Sequence, residues 1–128
     1  MFLRTTILAI AAMLMVPALA DEPSFGPAIA RYLNMHARSG VPLENMDLAI
    51  VIHGPAVKNL LDTDGNPNSE LIALLQNAGV SIYVCGQSMA FGGFANTELA
   101  NGVKIALSAM TMLTTLQSDG YALLPWGA

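Results

Sequence analysis

The chain reads as an α/β protein, a three-layer α/β/α sandwich around a mainly parallel sheet of four to five strands. Three observations predict it. Short apolar runs alternate with helical stretches of about ten residues, the pattern of strands joined by crossover helices. The run Leu48, Ala49, Ile50, Val51, Ile52 has no polar alternation, as suits a strand covered on both faces. The two clearest strands also stop abruptly, one at His53-Gly54-Pro55 and the other at Cys85-Gly86.

The elements follow in order. After a polar lead-in from Asp21 to Gly26, Pro27 suits a first helical turn, where a missing N–H costs nothing. Ala28, Ile29, Tyr32, Leu33 and His36 then recur at three- and four-residue spacing, and Gly40 stops the helix. Met46 to Ile52 is the first strand of this part of the chain, and Ala56 to Leu61 predicts a short helix. The polar loop from Asp62 to Asn66 has the first three spacings of a calcium loop. Pro67 stands where that loop needs glycine and Ala73 where it needs the closing glutamate, so the pattern fails. Asn66 is expected instead to cap a helix that opens at Pro67, carries Leu71, Ile72, Leu74 and Leu75, and ends at Gly79.

Val80 to Cys85, with Val80, Ile82, Tyr83 and Val84, is the second buried strand. Gln87 to Phe94 reads as a glycine-punctuated loop with one helical turn, and Thr97 to Asn101 as another turn. Val103 to Leu107 is a third strand, Ser108 caps a helix from Ala109 to about Gln117 with Met110, Leu113 and Leu116 inward, and Tyr121 to Trp126 is the last strand.

The first twenty residues differ from the rest. Arg4 gives a positive start, Ile7 to Val16 is an unbroken apolar run, and Ala18 to Ala20 supplies a small-residue cleavage pattern. Residues 1–20 are therefore expected to be a signal peptide, residues 21–128 a single domain, and the location exported and periplasmic. Ten apolar residues fall short of the roughly 20 that a membrane-spanning helix needs, so no membrane association is expected after cleavage. The remaining segment holds four basic residues against nine acidic ones, a net charge of minus five with histidines neutral. That balance argues against nucleic acid, whose phosphates call for a basic stripe.

Cys85 is the one cysteine in the chain and cannot pair within it. In an exported protein an unpaired cysteine points to a reactive thiol or an intermolecular bridge; a buried cysteine acting as a small hydrophobe is the competing reading. Parallel sheets bind ligands outside the carboxyl ends of their strands, and both Cys85 and His53 stand at such ends. A thiol reacts as its thiolate, and an ordinary cysteine with a pKa of about 8.5 is little ionised at neutral pH. The N–H groups of Gly86, Gln87 and Ser88 would favour the anion if the loop turns helical there. A helix terminus contributes about 0.3–1 kcal/mol, too little alone, and His53 is the second group the sequence places on the same rim. Two separated histidines and one cysteine do not form a zinc site by spacing. Gly86, Gly92 and Gly93 lack the phosphate-loop patterns, so neither metal nor cofactor is expected. His36 on a helix face is expected to be a hydrogen-bonded structural residue, and Met110 and Met112 to be core or subunit contacts.

The segments HGPAV (His53 to Val57), YVCGQSM (Tyr83 to Met89), LSAMTML (Leu107 to Leu113) and LQSDGYALLPW (Leu116 to Trp126), after IARYLNMHARSGVPLENM, together resemble the exported branch of the DsrE/DsrF-like family. The resemblance implies a flavodoxin-like parallel sheet, assembly into homotrimers or homohexamers, and an active cysteine just after a strand that carries sulfur as a persulfide; Cys85 matches that position. Sulfur-donor and acceptor proteins, or small thiols, are the implied partners. Members of the family generally begin with a strand ahead of the first helix. Here only Asp21 to Gly26 separates the leader-like segment from that helix, so the sheet is expected to lack a strand, or to fill the gap by direct pairing, a partner chain or the N-terminal segment. The alternatives to a sulfur carrier are an oligomeric binding module with an inert cysteine and a Cys/His hydrolase using His53 as base.

Overall fold

The computed structural model describes residues 12–15 and 25–125. Arg4, the cleavage pattern at Ala18 to Ala20, the start of the lead-in at Asp21 and the last strand residue Trp126 lie outside the described residues. The element order is β1 (Ala12–Met15), α1 (Phe25–Arg38), β2 (Leu48–Ile52), α2 (Ser69–Asn77), β3 (Ser81–Cys85), α3 (Gly86–Gly92), β4 (Lys104–Ala106), α4 (Ala109–Ser118) and β5 (Ala122–Pro125). Short 3-10 turns lie at Leu43–Asn45, Gly54–Leu60 and Asn96–Glu98.

The strands form one sheet in the order β4-β3-β2-β1-β5, and every pairing is parallel. Parallel neighbours need a crossover connection, and the helices between the strands supply it. All five residues of β2 are buried, which explains why the sequence there is apolar at every position rather than at alternate ones.

Alternation along β2 and β3 divides the interior in two. Leu48, Ile50, Ile52, Ile82 and Val84 face Ile29 and Leu33 of α1, Ile72 and Leu75 of α2, and Met89 of α3. Ala49, Val51 and Cys85 face Ala109, Leu113 and Leu116 of α4. The first core is broad and built from large side chains; the second is thin and contains two alanines and the cysteine.

Ala12–Met15, within the leader-like run, form β1 at the place where a strand seemed to be missing, so the N-terminal segment fills the gap. Three expectations are corrected. The segment after Cys85 is a helix from its first residue, not a loop with one turn. Asn66 does not cap α2: its side chain donates to Asn59 O at 3.1 Å and Leu61 O at 2.7 Å and accepts from Asn68 N at 2.9 Å, so it ties the polar loop to itself, and the helix starts at Ser69. Met110 points outward, at 78% exposure, because the buried stripe of α4 runs through Ala109, Leu113 and Leu116. Ser108 does cap α4, its hydroxyl accepting from Thr111 N at 3.0 Å. His36 stacks on Tyr32 with ring centroids 4.1 Å apart, and its Nδ1 lies 2.8 Å from Tyr32 O, the structural role expected of it.

Candidate thiol site

Ile52 and Val84 are partners in the β2–β3 register. His53 and Cys85 therefore both stand at the carboxyl ends of neighbouring strands, His53 just past β2 and Cys85 as the last residue of β3, and Cys85 faces α4. No hydrogen bond joins them: His53 Nε2 is buried and has no partner among the described residues.

Cys85 is 5% exposed and packs against Ala49, Val51, Ala109, Leu113 and Leu116. It ends β3 and immediately precedes α3, in the N-cap position. Burial pushes the thiol pKa up; the Ser88 hydroxyl and the backbone N–H groups of Ser88, Ala109 and Gln87 push it down and together prevail, leaving the thiol below its ordinary value. These groups act as polar neighbours of the sulfur, since no side-chain cap hydrogen bond closes on it. Gln87 and Ser88 lie in the first turn of α3 and Ala109 opens α4, and a developing negative charge is favoured at helix N-termini.

Ser88 links this rim to the end of β2. Its Oγ accepts from Gly54 N at 2.8 Å, so the hydroxyl's own proton is free to turn toward Cys85. Gly54 has φ of +63°, a left-handed conformation for which glycine is suited. Gly86 has a different constraint. A Cβ there would sit 2.8 Å from Ala106 O and 3.4 Å from Ile105 Cγ2, so only glycine lets α3 start this close to the end of β4. That close approach brings the β4–α4 connection, and with it Ala109 N, to the sulfur. Ala109 was not singled out in the sequence, because a backbone N–H carries no side-chain signature; Ser108 as a cap was the nearest signal to it.

A cleft of about 710 Å³ opens beside the rim, lined by Gly54, Pro55, Gln87, Ser88, Phe91 and Phe94 among others. Its walls are mainly apolar, with Gln87 and Ser88 among them. Among the described residues no group of three or more histidine, cysteine or acidic side chains is placed to hold a metal ion.

The decisive comparison is with protein families. The DsrE/DsrF-like family model matches residues 16–126, most of the chain and the whole of the rim. The chain belongs to the DsrE/DsrF-like family. No curated protein matches it. Among solved structures it is similar to a protein of unknown function from Methanobacterium thermoautotrophicum, at 21% identity and a TM-score of 0.71 over 90% of this chain and 98% of that one. The YchN protein of E. coli is similar at 16% identity and a TM-score of 0.68, over 91% and 98%. A conserved protein of unknown function from Bacteroides thetaiotaomicron is similar at 17% identity and a TM-score of 0.65, over 91% and 94%. At these identities the likeness bears on the mixed α/β fold with its parallel sheet.

Proposed function

We propose that this member of the DsrE/DsrF-like family is a sulfur carrier or thiol-exchange protein in which Cys85 accepts sulfane sulfur as a persulfide and relays it. The observation that carries the reading is the set of N–H groups from two helices, with the Ser88 hydroxyl, that favours the thiolate of a cysteine otherwise surrounded by hydrocarbon. In the accepting step the Cys85 thiolate attacks the outer sulfur of a donor persulfide. A new S–S bond forms at Cys85, the donor's S–S bond breaks, and the donor leaves as its thiolate, with no net oxidant consumed. In the releasing step an acceptor thiolate attacks the outer sulfur, and Cys85 departs as a thiolate, which a lowered pKa assists. His53, whose Nε2 has no partner among the described residues, is the group assigned to take up or return the proton.

The partners are donor and acceptor proteins or small thiols. The chain acts as a carrier with its partners rather than turning over a substrate alone. Phe91, Leu107 and Met110, at 97%, 73% and 78% exposure, follow the carboxyl ends of β3 and β4. They supply an apolar surface for a second copy, as in a homotrimer or homohexamer, or for a relay partner. Incubation with a persulfide donor followed by intact-mass measurement tests the reading. Wild type should gain one sulfur atom and Cys85→Ala none; an equal gain on both, or no gain on either, rejects it.

A second reading, an oligomeric binding module with an inert cysteine, is favoured by the 5% exposure of Cys85. Alkylation under native conditions separates the two. A carrier labels in the folded state through local opening on the Ser88 side, whereas an inert core cysteine labels only after unfolding.

A further inference from the structure

We infer that Ala12–Met15 remain part of the folded protein as its interior strand, so that the N-terminal apolar segment is built into the domain rather than discarded as a leader. Sheet topology carries this inference, independently of any chemistry at Cys85. β1 is paired on both sides: Ala12 to Met15 match Leu48 to Val51 of β2 on one edge and Ala122 to Pro125 of β5 on the other. In the order β4-β3-β2-β1-β5, the last strand has no other neighbour among the described residues. Cleavage after Ala20 would therefore detach β5 and the chain end that follows α4. It would also leave the β1-facing edge of β2 without a partner, although every residue of β2 is buried.

Among the described residues nothing else is placed to substitute. α1 begins at Phe25, so only four residues, Asp21 to Ser24, would precede it after cleavage, too few to form both a strand and its connection to a helix. Direct closure of β2 onto β5 requires a shift of about 4.8 Å, one strand spacing, of an element whose register is set through β1. An unbroken ten-residue apolar run is compatible with either use, since a leader and a strand covered on both faces both require apolar residues at consecutive positions. One molecule cannot be cleaved there and keep the strand in its chain.

The test uses the full chain expressed in a bacterial host, with intact mass and N-terminal sequencing of the soluble, folded fraction. The expected result is a chain that still contains residues 12–15. Folded protein beginning at Asp21 overturns the inference. Leu14→Pro gives a second readout, because proline removes a ladder hydrogen bond from an interior strand. The purified variant should melt well below wild type or fail to accumulate as soluble protein. A soluble variant with an unchanged melting temperature overturns the inference, as that is the behaviour of a residue outside the folded domain.

Discussion

The two faces of the sheet are built differently. Toward α1 and α2, isoleucines and leucines fill a broad core, and fully buried residues such as Ile50, Ile82 and Leu75 meet only hydrocarbon. Toward α4, the layer is thin: Ala49, Val51, Cys85 and Ala109 are small, and Tyr83, Met112 and Tyr121 at its margin are only partly buried. The broad face contributes most of the apolar burial and hence most of the stability. The thin face lets the first turn of a helix approach a sulfur atom, which large side chains would prevent. Stability and chemistry are thus separated across one sheet by the two-residue alternation of its strands.

Five measurements sharpen or break that contrast. The largest effect is expected from truncating equivalent side chains on the two faces. Leu75→Ala should lower the unfolding free energy by about 2–5 kcal/mol, and Leu113→Ala, at 9% exposure in the thinner layer, by an amount at the low end of that range; equal losses in denaturant titrations would remove the distinction. Next, Gly86→Ala should cost about 1–3 kcal/mol through overpacking against Ala106. The same variant should raise the Cys85 thiol pKa, because the β4–α4 connection that carries Ala109 N must move away. Alkylation rate against pH reads this second effect separately from stability.

Ser88→Ala should slow alkylation of the folded protein near pH 7 roughly fivefold, from loss of about 1 kcal/mol of hydrogen bonding toward the thiolate. Ser88→Thr should restore much of the rate, and an unaltered pH profile in Ser88→Ala would rule out the hydroxyl as a contributor. The lowered thiol pKa also has a sign in stability. Because the folded state releases this proton more readily than the unfolded chain, the contribution is present above the unfolded pKa and disappears as pH falls through the lower folded value. The stability gap between wild type and Cys85→Ala should therefore widen as pH rises through that window, and a gap that narrows would contradict the favoured thiolate. The smallest effect belongs to Met110→Ala, at 78% exposure. It should alter monomer stability by no more than about 0.5 kcal/mol, and a larger loss that depends on protein concentration would mark Met110 as a subunit contact.

Much of this fold was legible because burial on both faces leaves an unambiguous mark. β2 and β3 were found almost to the residue, since a run such as Leu48–Ile52 has few other uses in a chain of alternating strands and helices. The same logic predicts Cys85 and His53 at one rim, and the register of β2 with β3, which ends at Ile52 opposite Val84, puts both at the carboxyl ends of neighbouring strands. Three features were less visible. α3 was obscured by Gly86 and Gly92, which suggest a loop; at Gly86 the absent side chain permits close packing against β4. Met110 was assigned inward because Met110, Leu113 and Leu116 have as regular a spacing as Ala109, Leu113 and Leu116, and an alanine gives a weak apolar signal. Ala109 N near the sulfur had no side-chain signature at all.

The amino-acid sequence by itself determined the alternation of strands and helices, the apolar stretches that must be covered, and the position of one thiol at a strand's end. These are local properties, set by periodicity, glycine and proline placement, and the chemistry of single residues. The tertiary structure decided which strand completes the sheet, because an apolar decapeptide is equally suited to a membrane translocation path and to the middle of a parallel sheet. It also decided the electrostatic setting of Cys85, because the first turns of α3 and α4 come to the same end of the sheet only after β4, which lies between them in the chain, has paired with β3.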